Sequence, residues 1–312
     1  MMRWTSAALG LAALTYATTG TTGVPKDLPL PTGTPDADEI AAQVYFVNHF
    51  YAFDNYSIKD TRDSITVLVL RTGRGGVTAN TLSRYLNNDY PPDDDINAKD
   101  LAIFHSGKLR GTGMLIVDYT EDARSQTYSI WLPAIRRIRR FAEPAHDDAW
   151  GGSDFTFGDV TLRKPLHEDH ELLGTETFTD CLGAMDDVRV RELRDPPPAA
   201  CDHQGKEVYK LKSSTKFENW WYDDRISYVD TRTYADYRTE YFKDGTMVKV
   251  IDRHWISLDH PDPRALSWGY WYGKTLDTGH ETWAVIPQDV VEFNSDLQER
   301  FWSESTLERI RR

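Results

Sequence analysis

The chain has 312 residues, of which 40% are hydrophobic and 27% charged, enough to bury a sizeable core and too apolar for a disordered chain. Its formal charge of −13 repels phosphate backbones and anionic surfaces, which argues against nucleic acid as a partner. Two cysteines are too few for a structural metal centre, and no cofactor or metal ion is expected.

Residues 1–23 read as a secretory signal peptide. Arg3 supplies a small positive start, Trp4 to Ala17 is mostly Ala, Leu, Gly and Thr, and small residues continue to Gly23. The mature chain, one unit more negative without Arg3, is then expected in the periplasm. No later apolar run reaches the roughly 20 residues that a membrane-spanning helix needs. No cysteine follows the signal to take a lipid anchor, so the exported protein is expected to be soluble.

Val24 to Pro35 is rich in Pro, Gly and Thr and predicts an extended linker ahead of one domain over 36–312. Asp36-Ala37-Asp38-Glu39 offers a helix cap with first-turn carboxylates. Ile40, Val44, Val47 and Tyr51 follow at helical spacing and predict one amphipathic helix ending before Asn55.

Beyond Ser64 the pattern is of strands. They are predicted over 65–70, 78–86, 101–106, 111–119, 126–132, 135–141, 160–163, 169–173, 188–193, 206–213, 226–234, 237–242, 246–256 and 281–286. Asp244-Gly245 marks a tight hairpin turn. A short terminal helix is predicted within 294–312, with Leu307 and Ile310 on one side. So many strands without a break in composition predict a mainly β fold: a single large curved antiparallel sheet, or unclosed β-barrel, with a few covering helices. Cys181 and Cys201 flank Asp186-Asp187 and Pro196-Pro197-Pro198, which predicts a disulfide closing one excursion from the sheet.

Catalytic patterns are missing from the sequence. Gly73-Arg74-Gly75-Gly76 and Gly111-Thr112-Gly113 lack the spacing of a phosphate-binding loop, and no Gly-x-Ser-x-Gly elbow occurs. His167-Glu168-x-His170 places its histidines three apart in a strand-like segment, not four apart on a helix, and reads as solvated strand residues. Asp154 reads as satisfying backbone donors in the Gly151-Gly152 turn, with an acid pair to Asp159 as the alternative. Asp93-Asp94-Asp95 reads as a polar turn. Arg136, Arg137, Arg139 and Arg140 form the one basic cluster, either structural ion pairs or a rim contacting lipid phosphate or an acidic partner. Trp220-Trp221-Tyr222 and Trp268-Gly269-Tyr270-Trp271-Tyr272 are either packing residues of the sheet, the lining of an apolar cavity or a platform that stacks on sugars.

Three segments in succession carry a resemblance: "GTGMLIVDY" from Gly111, "IWLPAIRRIRR" from Ile130 and "GSDFTFGDV" from Gly152. With Asp38-Glu39-Ile40, Ile226-Ser227-Tyr228-Val229-Asp230 and Arg238-Thr239-Glu240-Tyr241-Phe242 in order, the chain resembles the LolA-like outer-membrane lipoprotein-sorting family over most of 36–310. The resemblance implies an unclosed β-barrel whose apolar cavity, covered by helices, holds acyl chains of a lipid or lipoprotein. It implies no catalytic residues, and for some relatives service to an envelope lipid transporter. A carrier needs an apolar lining, because each hidden methylene is worth about 0.8 kcal/mol. The strand faces aimed inward are Val67 and Val69, Leu115 and Val117, and Tyr128, Ile130 and Leu132; a slip of one residue exchanges the faces. The alternative function is a glycan-binding or glycan-processing envelope protein using exposed Trp clusters.

Overall fold

The computed structural model describes residues 23–310. Residues 1–22, the bulk of the expected signal peptide, lie outside the described residues. The lead-in is held against the domain: Lys26 Nζ donates to the Asn88 and Asn97 carbonyls at 2.6 Å, and Gln43 and Arg264 donate to the carbonyls of Pro29 and Leu28.

Helix α1 (Ala37–Asn48) begins where the cap was expected. Asp36 Oδ1 accepts from the Glu39 amide, and Glu39 reaches back to the Asp36 amide, so two orphan N–H groups are satisfied. The helix stops at Asn48, short of the expected end, because Phe50 takes a positive φ of 55°. It buries Ile40, Ala41, Phe46 and Val47.

Fifteen strands follow in a single antiparallel sheet. They are β1 (Asn55–Ile58), β2 (Thr66–Arg71), β3 (Val77–Asn87), β4 (Ile96–Phe104), β5 (Gly113–Tyr119), β6 (Thr127–Leu132), β7 (Arg137–Phe141) and β8 (Glu168–Thr177). The second half adds β9 (Glu207–Thr215), β10 (Asp224–Asp230), β11 (Asp236–Lys243), β12 (Thr246–Ser257), β13 (Leu266–Thr275), β14 (His280–Val285) and β15 (Val291–Phe293). Sequential hairpins run from β2 out to β7 and from β14 back to β8, and β2 pairs with β14 where the two series meet. Strand β1 continues along β3 beside β2 and carries β15. The end strands β7 and β8 do not pair, so the barrel stays open.

One face, the inner, is covered by α1 and by residues 144–167. The opposite, outer face is covered by residues 178–206 and by α2 (Glu304–Glu308). The Cys181–Cys201 disulfide closes that outer excursion, whose Leu182, Met185 and Val188 are buried. Gly183 within it packs flat on the Tyr272 ring, where a β-carbon would have no room. Helix α2 lays Leu307 against Leu101, Leu115 and Trp302.

Several elements differ from the sequence expectation. Residues 158–162 form a wide helical turn and 188–193 only an isolated bridge, so neither is a strand. Strand β13 was hidden in the aromatic cluster: Gly269 sits at a bulge opposite His254 and Trp255, which breaks the alternation there.

Candidate functional site

The inner face is not uniformly apolar. It carries four buried or half-buried ion pairs, on strands β3 and β4, β8 and β10, β11 and β12, and in the covering segment. Arg84 on β3 meets Asp100 on β4 at 2.7 Å, and Arg225 on β10 meets Glu168 on β8 at 2.6 Å. Arg253 on β12 meets Asp236 on β11 at 2.5 Å, and Arg163 meets Asp159 at 2.9 Å within the covering segment. Tyr222 and Tyr241 add hydroxyl donors to Glu168 and Asp159. Burial alone would raise the Glu168 pKa, but the Arg225 guanidinium outweighs it and holds the carboxyl down at about 2. Burial and the facing Arg163 act in the same opposing way on Asp159, which ends well below the usual carboxylate range. His49, at the end of α1, is pushed down to about 4 by burial and is neutral at pH 7.

Three small voids of about 70, 50 and 40 Å³ lie among these side chains. A much larger cavity of about 690 Å³ opens beside them, at the mouth formed by α1, the 23–27 lead-in and the turns at 90–92 and 119–122. Tyr45, Tyr51, Tyr90, Tyr119, Pro91 and Leu166 form most of its apolar wall. Its size falls in the range of sites that enclose a small ligand, roughly 300–1,000 Å³. Lys26 and Lys164 bring the charges of one rim, and Lys164 is paired with Asp122 at 2.9 Å. Sequence pattern does not single out these four tyrosines as a group. Tyr51 reads as core, Tyr45 lies off the apolar stripe expected for α1, and Tyr90 and Tyr119 border turns that share no periodicity.

The expected lining residues divide between the faces. Val67 and Val69 lie on the outer face, paired with Val285 and Trp283 beneath the disulfide-closed excursion, while Leu68 and Leu70 point inward. Leu115 pairs with Ser129, not with Ile130, and packs against α2; Val117 shares that outer face. Tyr128, Ile130 and Leu132 are on the inner face, with the Tyr128 hydroxyl bonded to Gln126. None of the seven lines the 690 Å³ cavity.

Arg136 sits in the turn before β7 with a positive φ of 51°, outside the strand expected for it. Arg140 pairs with Glu304 of α2 at 2.7 Å on the outer face. Arg137 and Arg139 are exposed on the inner side of the open edge and make no ion pair among the described residues.

Other expectations are corrected by burial. Asp154 accepts from Thr275, Thr282 and His280 across β13 and β14, not from its own turn, and Asp159 is spent on Arg163 and Tyr241. Residues 168–170 lie in strand β8 as expected and Asp169 is exposed, but Glu168 is not solvated: it is buried in its Arg225 pair. Trp268 and Trp271 are 4% and 5% exposed, and Trp220 and Trp221 half-buried, so neither cluster is an open sugar platform. Asp202, His203 and His254 on the outer face bring potential ligand atoms within 4.8 Å of one another. However, His203 Nε2 accepts from the Trp255 amide, which leaves the proton of the neutral ring on Nδ1, in the form that donates and does not ligate.

A family model described as "Uncharacterized protein" matches residues 97–184. No curated protein matches. Among solved structures, a DUF1329 family protein from Desulfovibrio piger is similar at a TM-score of 0.64 and 16% identity, over 88% of this chain and 100% of that one. An outer membrane lipoprotein-sorting protein domain from Vibrio parahaemolyticus is similar at 0.63 and 16%, over 88% and 98%. A LolA superfamily protein from Nitrosomonas europaea is similar at 0.51 and 10%, over 88% and 100%. The chain therefore has the open-barrel fold of the DUF1329 and LolA-superfamily proteins.

Proposed function

We propose that this protein is a periplasmic carrier that shields the acyl chain of a lipid or lipoprotein on its way towards the outer membrane. The observation that carries the reading is the 690 Å³ cavity at the mouth of the open sheet, walled by tyrosine rings, prolines and Leu166. Hiding a chain of methylenes from water needs apolar area and no reacting group; four carboxylates of the inner face are engaged in ion pairs, and the buried Asp118 accepts from the Asn97 and Gln126 side-chain amides. The fold shared with an outer membrane lipoprotein-sorting domain supports the same reading. In this account the protein is not an enzyme. No helix among the described residues is long and apolar enough to cross a membrane, which suits a carrier that moves between membranes. The exposed Arg137 and Arg139 at the β7 edge are the proposed contact for an anionic lipid surface or an acidic transporter partner. Purifying the protein from its native envelope and identifying co-purifying molecules by mass spectrometry tests the proposal. A bound acyl-bearing lipid is the expected result, and a native preparation free of any lipid would count against it.

A further inference from the structure

Behind the mouth cavity, the inner face holds hydrogen-bonding groups that no protein atom satisfies. The 70 Å³ void lies between α1, the 158–165 turn and the strands β9 to β13, and it is several times the roughly 10–15 Å³ that one water needs. Four donors on its lining residues are buried without a partner: Arg163 Nη2, Arg253 Nε, and the indole N–H groups of Trp268 and Trp271. Arg253, Trp268 and Trp271 are each more than nine-tenths buried. Two acceptors on the same wall are also unpaired, Asn48 Oδ1 and His49 Nε2. The His49 nitrogen is an acceptor because Nδ1 donates to the Tyr45 carbonyl and the ring is neutral. Buried polar groups are normally paired, so six orphans on residues lining this void, four of which also border the 40 and 50 Å³ voids, mark a region built for something with oxygens.

The charges on the wall decide what kind. Arg163, Arg225, Arg253 and Lys164 all line the void, but each already holds a carboxylate: Asp159, Glu168, Asp236 and Asp122. The network is neutral, and an added anion would be a further charge out of water with no free cation to meet it. What remains is directional capacity, four donors and two acceptors, which hydroxyl and ester oxygens can answer in both senses. The void and the mouth cavity share Tyr45, Lys164 and Pro165 in their walls, so the two spaces are neighbours across these side chains, and a molecule occupying both would pass beside them.

We infer that the cargo is an amphiphile with an uncharged, hydroxyl-bearing head, of the monoacylglycerol type, whose head seats in the inner void and whose chain lies in the mouth cavity. This inference rests on the carrier reading above and specifies its ligand. The orphaned groups hold the head, and the apolar mouth holds the tail. Water alone could satisfy the same groups, and in that case the head would not matter to affinity.

A head-group series of one chain length tests this. A fluorescent acyl probe bound to the protein is displaced with 1-monopalmitoylglycerol, with palmitate at pH 8 and with the methyl ester of palmitate, which lacks hydroxyls. Monopalmitoylglycerol should bind at least about tenfold tighter than either of the others. The variant Trp271→Phe, checked for folding by circular dichroism, removes one indole donor while keeping a ring; it should weaken monopalmitoylglycerol more than methyl palmitate and so lower that preference. Equal affinities for the three heads, or palmitate binding as tightly as the glyceryl ester, would overturn the uncharged-head inference even if every variant misfolds. Failure of any acyl ligand to bind would instead overturn the carrier reading.

Discussion

Arg253 donates to Asp236 at 2.5 Å across β12 and β11, and both side chains are about 4% exposed. Asp236 also accepts from Asn48 Nδ2 of α1 at 2.9 Å, so one buried carboxylate fastens the covering helix to the sheet. Removing one partner of such a pair leaves an uncompensated charge. Arg253→Met should therefore cost about 3–5 kcal/mol in urea unfolding. Adding Asp236→Leu to it should restore much of the loss, because replacing both charges removes the desolvation cost as well. A loss under about 1 kcal/mol for the single variant would show that the pair is not held out of water.

Acid should destabilise the protein in two stages. His49, His167 and His203 are each pushed by burial to about 4, below the ordinary value near 6.5. A depressed folded pKa means that the unfolded chain binds the proton more tightly. Their contribution is thus complete above about pH 6.5 and falls away towards pH 4. Glu168, held at about 2 against an ordinary value near 4.3, contributes above pH 4.3 and is lost between there and pH 2. Urea midpoints measured from pH 7.5 to pH 2.5 check both stages. His49→Gln should flatten the upper stage and Glu168→Gln the lower; unchanged slopes would contradict the assignments.

The Cys181–Cys201 bridge spans 20 residues and closes the excursion over β13 and β14. Replacing both cysteines with serine should cost roughly 3 kcal/mol in the chain-entropy account. Alkylation of the exported protein without reductant should label no thiol, and labelling of two would contradict the bridge.

Gly183 lies against the face of Tyr272, whose hydroxyl donates to Glu281 at 2.7 Å. A methyl group there must push the ring aside in a packed interior. Gly183→Ala should cost about 1–3 kcal/mol, and Gly183→Ala combined with Tyr272→Phe should cost less than the sum of the two. Additive losses measured by urea unfolding would show that the ring is free to move.

The open sheet was readable because strand after strand carries β-branched and aromatic residues between turn residues, with Asp244-Gly245 taking the positive φ values of a tight hairpin turn. Which face looks inward was not readable. In β2 both faces are buried, so Val67-Leu68-Val69-Leu70 has no polar side to orient it. In β5 and β6 a shift of one residue separates Leu115, facing α2, from Ile130, facing inward. The candidate site was hidden for a different reason. The mouth cavity joins Tyr45, Tyr90, Tyr119 and Leu166 from four separate segments, and the Arg225–Glu168 pair joins residues 57 apart in sequence. No local pattern records such meetings; only the fold brings them together.

The most direct test of the carrier account is the dependence of binding on chain length. Saturated alcohols of increasing length should displace a fluorescent acyl probe with affinity rising roughly threefold to fourfold per methylene until the mouth cavity is full, as expected for about 0.8 kcal/mol each. Ala42→Trp, which places a ring in that cavity from the wall formed by α1, should make the rise stop at a shorter chain. Affinity that does not change with chain length, in protein shown to be folded, would contradict the account.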